Sequence, residues 1–216
     1  MKNGLRFVWE EGTAQIEEKK SKFITTVRPV HSEEEALEMI AGLKKKYWDA
    51  THNCWAYCVG DRQQLQRCSD DGEPQGTAGR PMLEVILKQD VHDVCVVVTR
   101  YFGGTLLGAG GLVRAYSAAT AAGLGAARIL EKCKGKILTV RSDYSDSGKI
   151  QYILAQDQVP VLDTRYTDCV ETDLAVDEET EGLMKKKITE ATAGRAIWTE
   201  ETEMEFALDG REVILL

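Results

Sequence analysis

Two stretches of this sequence concentrate residues that could hold a ligand. The first, SDDGEPQGTAGRP from Ser69 to Pro81, sets Asp70, Asp71 and Glu73 among Gly72, Gly76 and Gly79, with Thr77 and Arg80 behind them. The second, TRYFGGTLLGAGGLVRAY from Thr99 to Tyr116, places Gly103, Gly104, Gly108, Gly110 and Gly111 between Arg100, Tyr101 and Phe102 on one side and Arg114 and Tyr116 on the other. Glycine reaches positive φ and lets a ligand approach the backbone. Amides in such a loop, together with the N-terminus of a following helix, suit an anion. Arg80, Arg100 and Arg114 add forked guanidinium groups that fit phosphate. The expectation is one anion site for an acidic or phosphate-bearing ligand. The plainer alternative is that these glycines only turn the chain, and that the arginines pair with Asp70, Asp71 and Glu73.

Other chemistry is weaker. Asp70, Asp71 and Glu73 offer hard oxygens that can hold Mg²⁺ beside a phosphate, but acids on a turn before a helix have a simpler role in local hydrogen bonding. His52 with Cys54, Cys58 and Cys68 does not have the spacing of a common zinc site, so no metal and no cofactor is expected. Tyr101 and Phe102 stand where an exposed aromatic pair could stack on bases; packing at a strand end would use them equally well. His31, His52 and His92 leave a spatial pairing open, yet no Ser/His/Asp or Cys/His arrangement is evident in the order of residues.

Both stretches must be carried by strands and helices. Residues 13–30 read as a strand or bent hairpin. Ser32 followed by Glu35 is a capping box ahead of a helix over 33–47. Cys54–Val59 alternates like a strand, with 65–69 as its partner. Pro81 suits the first turn of a short helix, and DVCVVVTR, from Asp93 to Arg100, is a β-branched run that belongs at the centre of a sheet. Alanine and glycine between Leu112 and Leu130 suit a helix packed closely on that sheet. Both ligand-bearing stretches are therefore strand-to-helix connections.

The charged run Glu131–Lys136 is the expected boundary between a domain over 1–134 and another over 135–216. The second half reads β-α-β-β-α-β: a strand at 137–141, a helix opened by Ser145, strands near 159–165 and 169–176, a helix opened by Asp177 and closed by Gly194, and a last strand in which Ala196, Trp198, Met204 and Phe206 share one parity. That order is ferredoxin-like, and the fold class is α+β.

The 216 residues are 43% hydrophobic and 29% charged, as in ordinary globular chains. The net charge of −8 is uneven. Residues 1–134 hold eighteen Lys and Arg against seventeen Asp and Glu, whereas 135–216 hold nine against eighteen. A polyanion would be repelled by the second half, so nucleic acid must use a local surface of the first. The longest apolar run is too short to cross a bilayer. The opening MKNGLRFVWEEG has no apolar stretch behind its first lysine, and the six scattered cysteines read as reduced thiols. A cytoplasmic location follows.

The two stretches carry a further signal. DDGEP-x-GTAG-x-P from Asp70 to Pro81 and RYFGG-x-x-LG-x-GGLVRAY from Arg100 to Tyr116, with His52, Ala56 and Tyr57 upstream, resemble the signatures of the YigZ/IMPACT family. The resemblance covers about residues 5–130 strongly, and the tail matches the second domain of bacterial members. It implies an N-terminal domain like the second domain of ribosomal protein S five and a C-terminal domain like the ferredoxin-like domains of elongation factor G. Eukaryotic relatives act in translational control by blocking activation of an amino-acid-starvation kinase through its co-activator, and their partner-binding features include an additional N-terminal domain absent here, so that role does not transfer whole. For this chain the resemblance implies contact with RNA, the ribosome or a translation factor, and no defined reaction. The alternative is a phosphate- or nucleotide-dependent enzyme acting on a phosphorylated small molecule, its loop Leu107–Leu112 serving as the anion site.

Overall fold

The computed structural model describes residues 5–209 and 212–215; the first four residues of the opening stretch lie outside them. The chain divides into two compact units, one over Leu5–Leu130 and one from Glu131 onward.

The first unit is built on β2 (Gly12–Glu18), β3 (Ser21–Pro29), β4 (His52–Val59), β5 (Leu65–Ser69) and β7 (Val94–Tyr101), joined in the order β2-β3-β7-β4-β5 with every pairing antiparallel. The β-branched run is the central strand, as its composition predicts. Its two faces enter two cores. Val94, Val96 and Val98 pack with Phe23, Cys54, Met82 and Tyr116 under helices α2 (Gly79–Lys88) and α3 (Ala109–Ala126). Cys95 and Val97 pack with Met39, Ile40 and Leu43 of α1 (Glu33–Lys46). At about 1.5–3 kcal/mol per buried aliphatic side chain, this doubly covered strand fixes the positions of the loops at its ends. A short parallel pair, β1 (Leu5–Glu10) with β6 (Val91–His92), completes the unit.

Ser32 caps α1 by accepting from the Glu35 N–H, as the sequence pattern requires. Gly123 of α3 sits against the sheet: a Cβ there would lie 2.3 Å from the Thr25 methyl carbon, so helix and sheet approach more closely than alanine allows, whereas a Cβ at Gly125 would meet nothing within 4 Å. The helix ends at Ala126, short of the expected Leu130, and β8 (Arg128–Ser142) starts two residues later.

The charged run Glu131–Lys136 is itself extended chain. It is the middle of β8, whose lysines face the glutamates of β11 (Ile197–Asp209): Lys132 pairs with Glu205 at 2.8 Å, and Lys136 pairs with Glu201. Charge in this run satisfies a neighbouring strand and does not mark solvent-exposed chain. In the second unit β8, α4 (Tyr144–Gln156), β9 (Val161–Tyr166), β10 (Val170–Val176), α5 (Glu178–Ala191) and β11 give β-α-β-β-α-β, with antiparallel order β11-β8-β10-β9, which is ferredoxin-like. A twelfth strand, β12 (Glu212–Leu215), adds to β11 and has no counterpart in the sequence reading. Asp143, not Ser145, holds the N-cap of α4, whereas Asp177 caps α5 as expected by accepting from the Thr180 N–H. Among the described residues no helix is long and apolar enough to cross a membrane.

Candidate functional site

The two glycine-bearing connections meet. Glu73 and Pro74 of the first, and Arg100, Phe102, Leu106, Leu107, Gly108, Ala109 and Leu112 of the second, line one cleft of about 360 Å³ together with Thr51 and His52. β4 and β7 are neighbours with His52 opposite Arg100, so adjacent strands deliver the polar floor. The loop entering α3 supplies the apolar wall.

The first connection is closed by its own acids. One Asp70 oxygen accepts from the Ala78 and Gly79 N–H groups at 3.0 and 2.9 Å, and the other accepts from Gly76 N–H at 2.8 Å. Burial disfavours its charge, but these three amides outweigh burial and hold the carboxyl below its ordinary pKa. Asp70 thus occupies the N-terminus of α2 that was expected to receive a ligand. Asp71, at φ 44°, accepts from Asn53 N–H at 2.7 Å and from Lys44 at 2.5 Å. Thr77 donates to the Pro74 carbonyl at 2.6 Å. Gly79 has to be glycine, since a Cβ would lie 2.8 Å from Ser69 backbone, and Gly72, at φ 88°, sits beneath the His52 ring. Arg80 is exposed and pairs along its own helix with Glu84 at 3.0 Å. It does not face the cleft residues.

Arg100 is a floor residue and not a surface one. It is 5% exposed, donates to Glu73 at 2.6 Å and to the Ser21 hydroxyl at 3.3 Å, and lies over the rings of Phe23 and Phe102 at 5.5 and 5.7 Å. Its Nε has no partner among the described residues. The same Glu73 oxygen accepts from the Tyr116 hydroxyl at 2.8 Å. Tyr116 is fully buried edge-on to Phe23; burial first, then Cys54 and Glu73, push its phenol far above the ordinary range. Burial likewise raises the Cys54 thiol despite its bond to Tyr116, so this thiol is no nucleophile. The alternative in which arginines pair with the neighbouring acids therefore holds for Arg100 with Glu73, while Asp70 and Asp71 are taken by backbone and lysine.

The second connection is open. Gly108, at φ 74°, begins α3 without a side-chain cap, so the first-turn amides carry no protein acceptor of that kind. Arg114 is exposed, lies 3.7 Å from where a Cβ of Gly110 would stand, and has no ion pair among the described residues. Gly111 is tight against Leu107, Gly104 takes φ 83°, and Gly103 packs on the tip of the β2–β3 hairpin, 2.0 Å separating its would-be Cβ from the Lys20 carbonyl carbon. Of the aromatic pair, Phe102 is 46% exposed, and Tyr101 is half-buried with its hydroxyl on Asp49 at 2.9 Å. Three participants gave no signal in the sequence. They are Ser21, which also accepts from Gly103 N–H at 3.2 Å, and Lys19 and Lys20, which sit at φ 47° and 66° at the hairpin tip. A paired-lysine turn lacks the Asn-Gly signature that would have announced it.

His92 and two aspartates form the tightest His–acid group among the described residues, with Nδ1 at 2.9 Å from Asp93 and 4.0 Å from Asp61. The other ring nitrogen is buried and unpartnered, whereas a metal-bound imidazole anchors that nitrogen on an acceptor. The donor set suits an ion poorly.

Residues 19–124 match the Impact N-terminal domain and residues 140–195 a domain of unknown function, DUF1949. The chain is 42% identical over 189 residues to IMPACT family member YvyE of Bacillus subtilis, covering 88% of this chain and 87% of that one. It is 36% identical over 157 residues to IMPACT family member YigZ of Escherichia coli, covering 71% and 76%. A crystal structure described only as that of a hypothetical protein superposes with a TM-score of 0.58 at 30% identity, over 92% of this chain and 97% of that one. With signatures, two-unit architecture and near full-length similarity in agreement, the chain belongs to the IMPACT family.

Proposed function

We propose that this chain is a translation-associated binding protein whose first unit contacts single-stranded RNA, free or in a ribosome, through the open connection before α3. Membership of the IMPACT family supports a translation-regulatory role. One observation carries the RNA reading: the open connection gathers unneutralised donors beside an exposed aromatic ring. Arg114 and the lysines Lys19, Lys20 and Lys22 are exposed and have no ion pair among the described residues; the uncapped start of α3 adds amides, and Phe102 offers a ring face. Backbone-tracking charge with an aromatic platform is the usual chemistry of single-strand binding. Arg80 and Arg100 take no part in it, so the electropositive surface is narrower than three arginines imply.

The test is association of the full chain with single-stranded RNA across a salt series. Binding should weaken steeply with salt, and Arg114→Ala should reduce the log–log slope by about 0.7, the increment for one lost phosphate contact on a single strand. Salt-insensitive association, or none, overturns the reading. A second reading, a phosphate-dependent enzyme, draws on the same uncapped helix start. It requires a nucleotide with Mg²⁺ to raise the melting temperature and Gly110→Val to abolish that rise; a flat melting profile across nucleotides removes it.

A further inference from the structure

The cleft floor has a polarity that an anion does not match. His52 Nδ1 lies 2.9 Å from the Asp71 carbonyl oxygen. A carbonyl only accepts, so Nδ1 carries the hydrogen and Nε2 of the neutral ring presents a bare lone pair. Glu73 is arranged in the same sense. Its Oε1 is taken by Arg100 and Tyr116, while Oε2 has no hydrogen bond among the described residues and stands 3.8 Å from His52 Nε2. That separation is too long for a hydrogen bond. Two acceptors thus face each other across a gap, held from behind by Asp71, Arg100 and Tyr116. Around them the walls are apolar: Pro74, Phe102, Leu106, Leu107 and Leu112. With Arg100 balancing Glu73, the neutral form of His52 leaves the floor without net charge. A neutral group with two N–H hydrogens, on a flat apolar body, fits this arrangement.

We propose that the cleft receives an unpaired nucleobase bearing an exocyclic amino group, which donates one hydrogen to His52 Nε2 and one to Glu73 Oε2 while the ring lies against Phe102 and the leucines. Adenine, cytosine and guanine carry such a group. Uracil does not: it offers a single N3–H flanked by two carbonyl oxygens, so it cannot donate to both acceptors. Sequence-dependent contact with single-stranded RNA commonly has this form, a splayed base stacked on an aromatic ring and read at its edge, and a carboxylate accepting from an exocyclic amine is an established base contact. The inference rests on the RNA reading above and adds a base preference to it. Phosphate contacts by Arg114 and the hairpin lysines carry no such preference.

The test uses the full chain and short single-stranded oligonucleotides at one fixed salt concentration, with binding read by fluorescence anisotropy. Oligoadenylate and oligocytidylate should bind at least about tenfold more tightly than oligouridylate, the discrimination expected of one good base contact. An adenylate strand whose amino groups are dimethylated should fall to the uridylate level, a comparison that leaves the protein unaltered. His52→Ala should erase the preference and leave the salt slope unchanged. Equal binding of adenylate and uridylate, or undiminished binding of the dimethylated strand, overturns the base pocket and leaves the RNA reading standing. If no strand binds, both fall.

Discussion

The two glycine-rich connections of the first unit read alike as sequence and differ in what fills them. Each links a strand to a helix and each carries glycines at positive φ, Gly72 and Gly76 in one, Gly104 and Gly108 in the other. In the first, a carboxylate of the chain itself caps the helix; in the second, no side chain among the described residues does. The lesson is about acids near a glycine loop. Asp70 lies six, eight and nine residues before the amides it accepts from, a separation that no local capping pattern covers, because the intervening turn folds back on itself through Glu73 N–H to Asp70 carbonyl and Thr77 N–H to Pro74 carbonyl. A glycine-rich connection with acids inside it is self-satisfied, and one without acids is available.

The comparison is sharpened most by Glu73, the residue that links the two connections. Glu73→Ala leaves the Arg100 guanidinium buried without its charge partner and strands the Tyr116 hydroxyl, so unfolding free energy in urea should fall by about 3–5 kcal/mol. Much of that loss should return in Glu73→Leu/Arg100→Met, where no charge is left unpaired. If the single substitution has little effect, the buried pair is not what joins the segments.

Next in size is Asp70→Ala, which removes three accepted N–H bonds and should destabilise by about 2 kcal/mol. The sign of its pH dependence follows from the depressed pKa. Asp70 contributes fully above about pH 4, the ordinary carboxylate value, and its contribution disappears as pH falls through the lower folded-state value. The penalty of the substitution, measured by denaturation at neutral pH and again in acid, should therefore shrink in acid. A constant penalty would mean that Asp70 acts by packing and not as an anion.

A smaller effect of opposite sign is expected at the hairpin that supports the open connection. Lys19 and Lys20 both occupy left-handed backbone, which costs L-residues about 1–2 kcal/mol each before compensation. Lys19→Asn with Lys20→Gly should raise stability by about 1 kcal/mol while weakening RNA association. Gain of stability with unchanged binding would assign these lysines no part in the contact.

Much of this was legible in residue order, and what was not has a physical reason. Strand β7 was read from Asp93–Arg100, because a continuous β-branched run has few other uses. The ferredoxin-like order followed from alternating periods and from Asp177 and Gly194 at the ends of one helix. The candidate site residues were singled out by type, but which ones point outward was not written in their order. Arg80, Arg100 and Arg114 are chemically identical in sequence; only the pairing of β7 with β4 on one side and β3 on the other, which sets Glu73 and Ser21 beside Arg100, decides that one becomes a floor residue. That the run Glu131–Lys136 is itself strand was hidden for a related reason: the partners of its lysines, Glu201 and Glu205, lie about seventy residues away.

The finest distinction lies within the open connection itself. Gly103 and Gly110 are equivalent in composition, yet a Cβ at Gly103 would overlap the backbone of Lys20, whereas one at Gly110 would meet only an arginine tip at 3.7 Å. Gly110 also sits in the first turn of α3, where glycine has a higher conformational entropy cost than alanine. Gly110→Ala should accordingly stabilise the fold by about 0.5–1 kcal/mol, read as a rise in melting temperature. Its glycine is thus unnecessary for folding, and a methyl group there stands between the first-turn amides and any approaching phosphate. A variant that melts higher but binds RNA less tightly would show that backbone access is the reason glycine occupies this position; a variant that melts higher and binds as before would confine the contact to Arg114 and the hairpin.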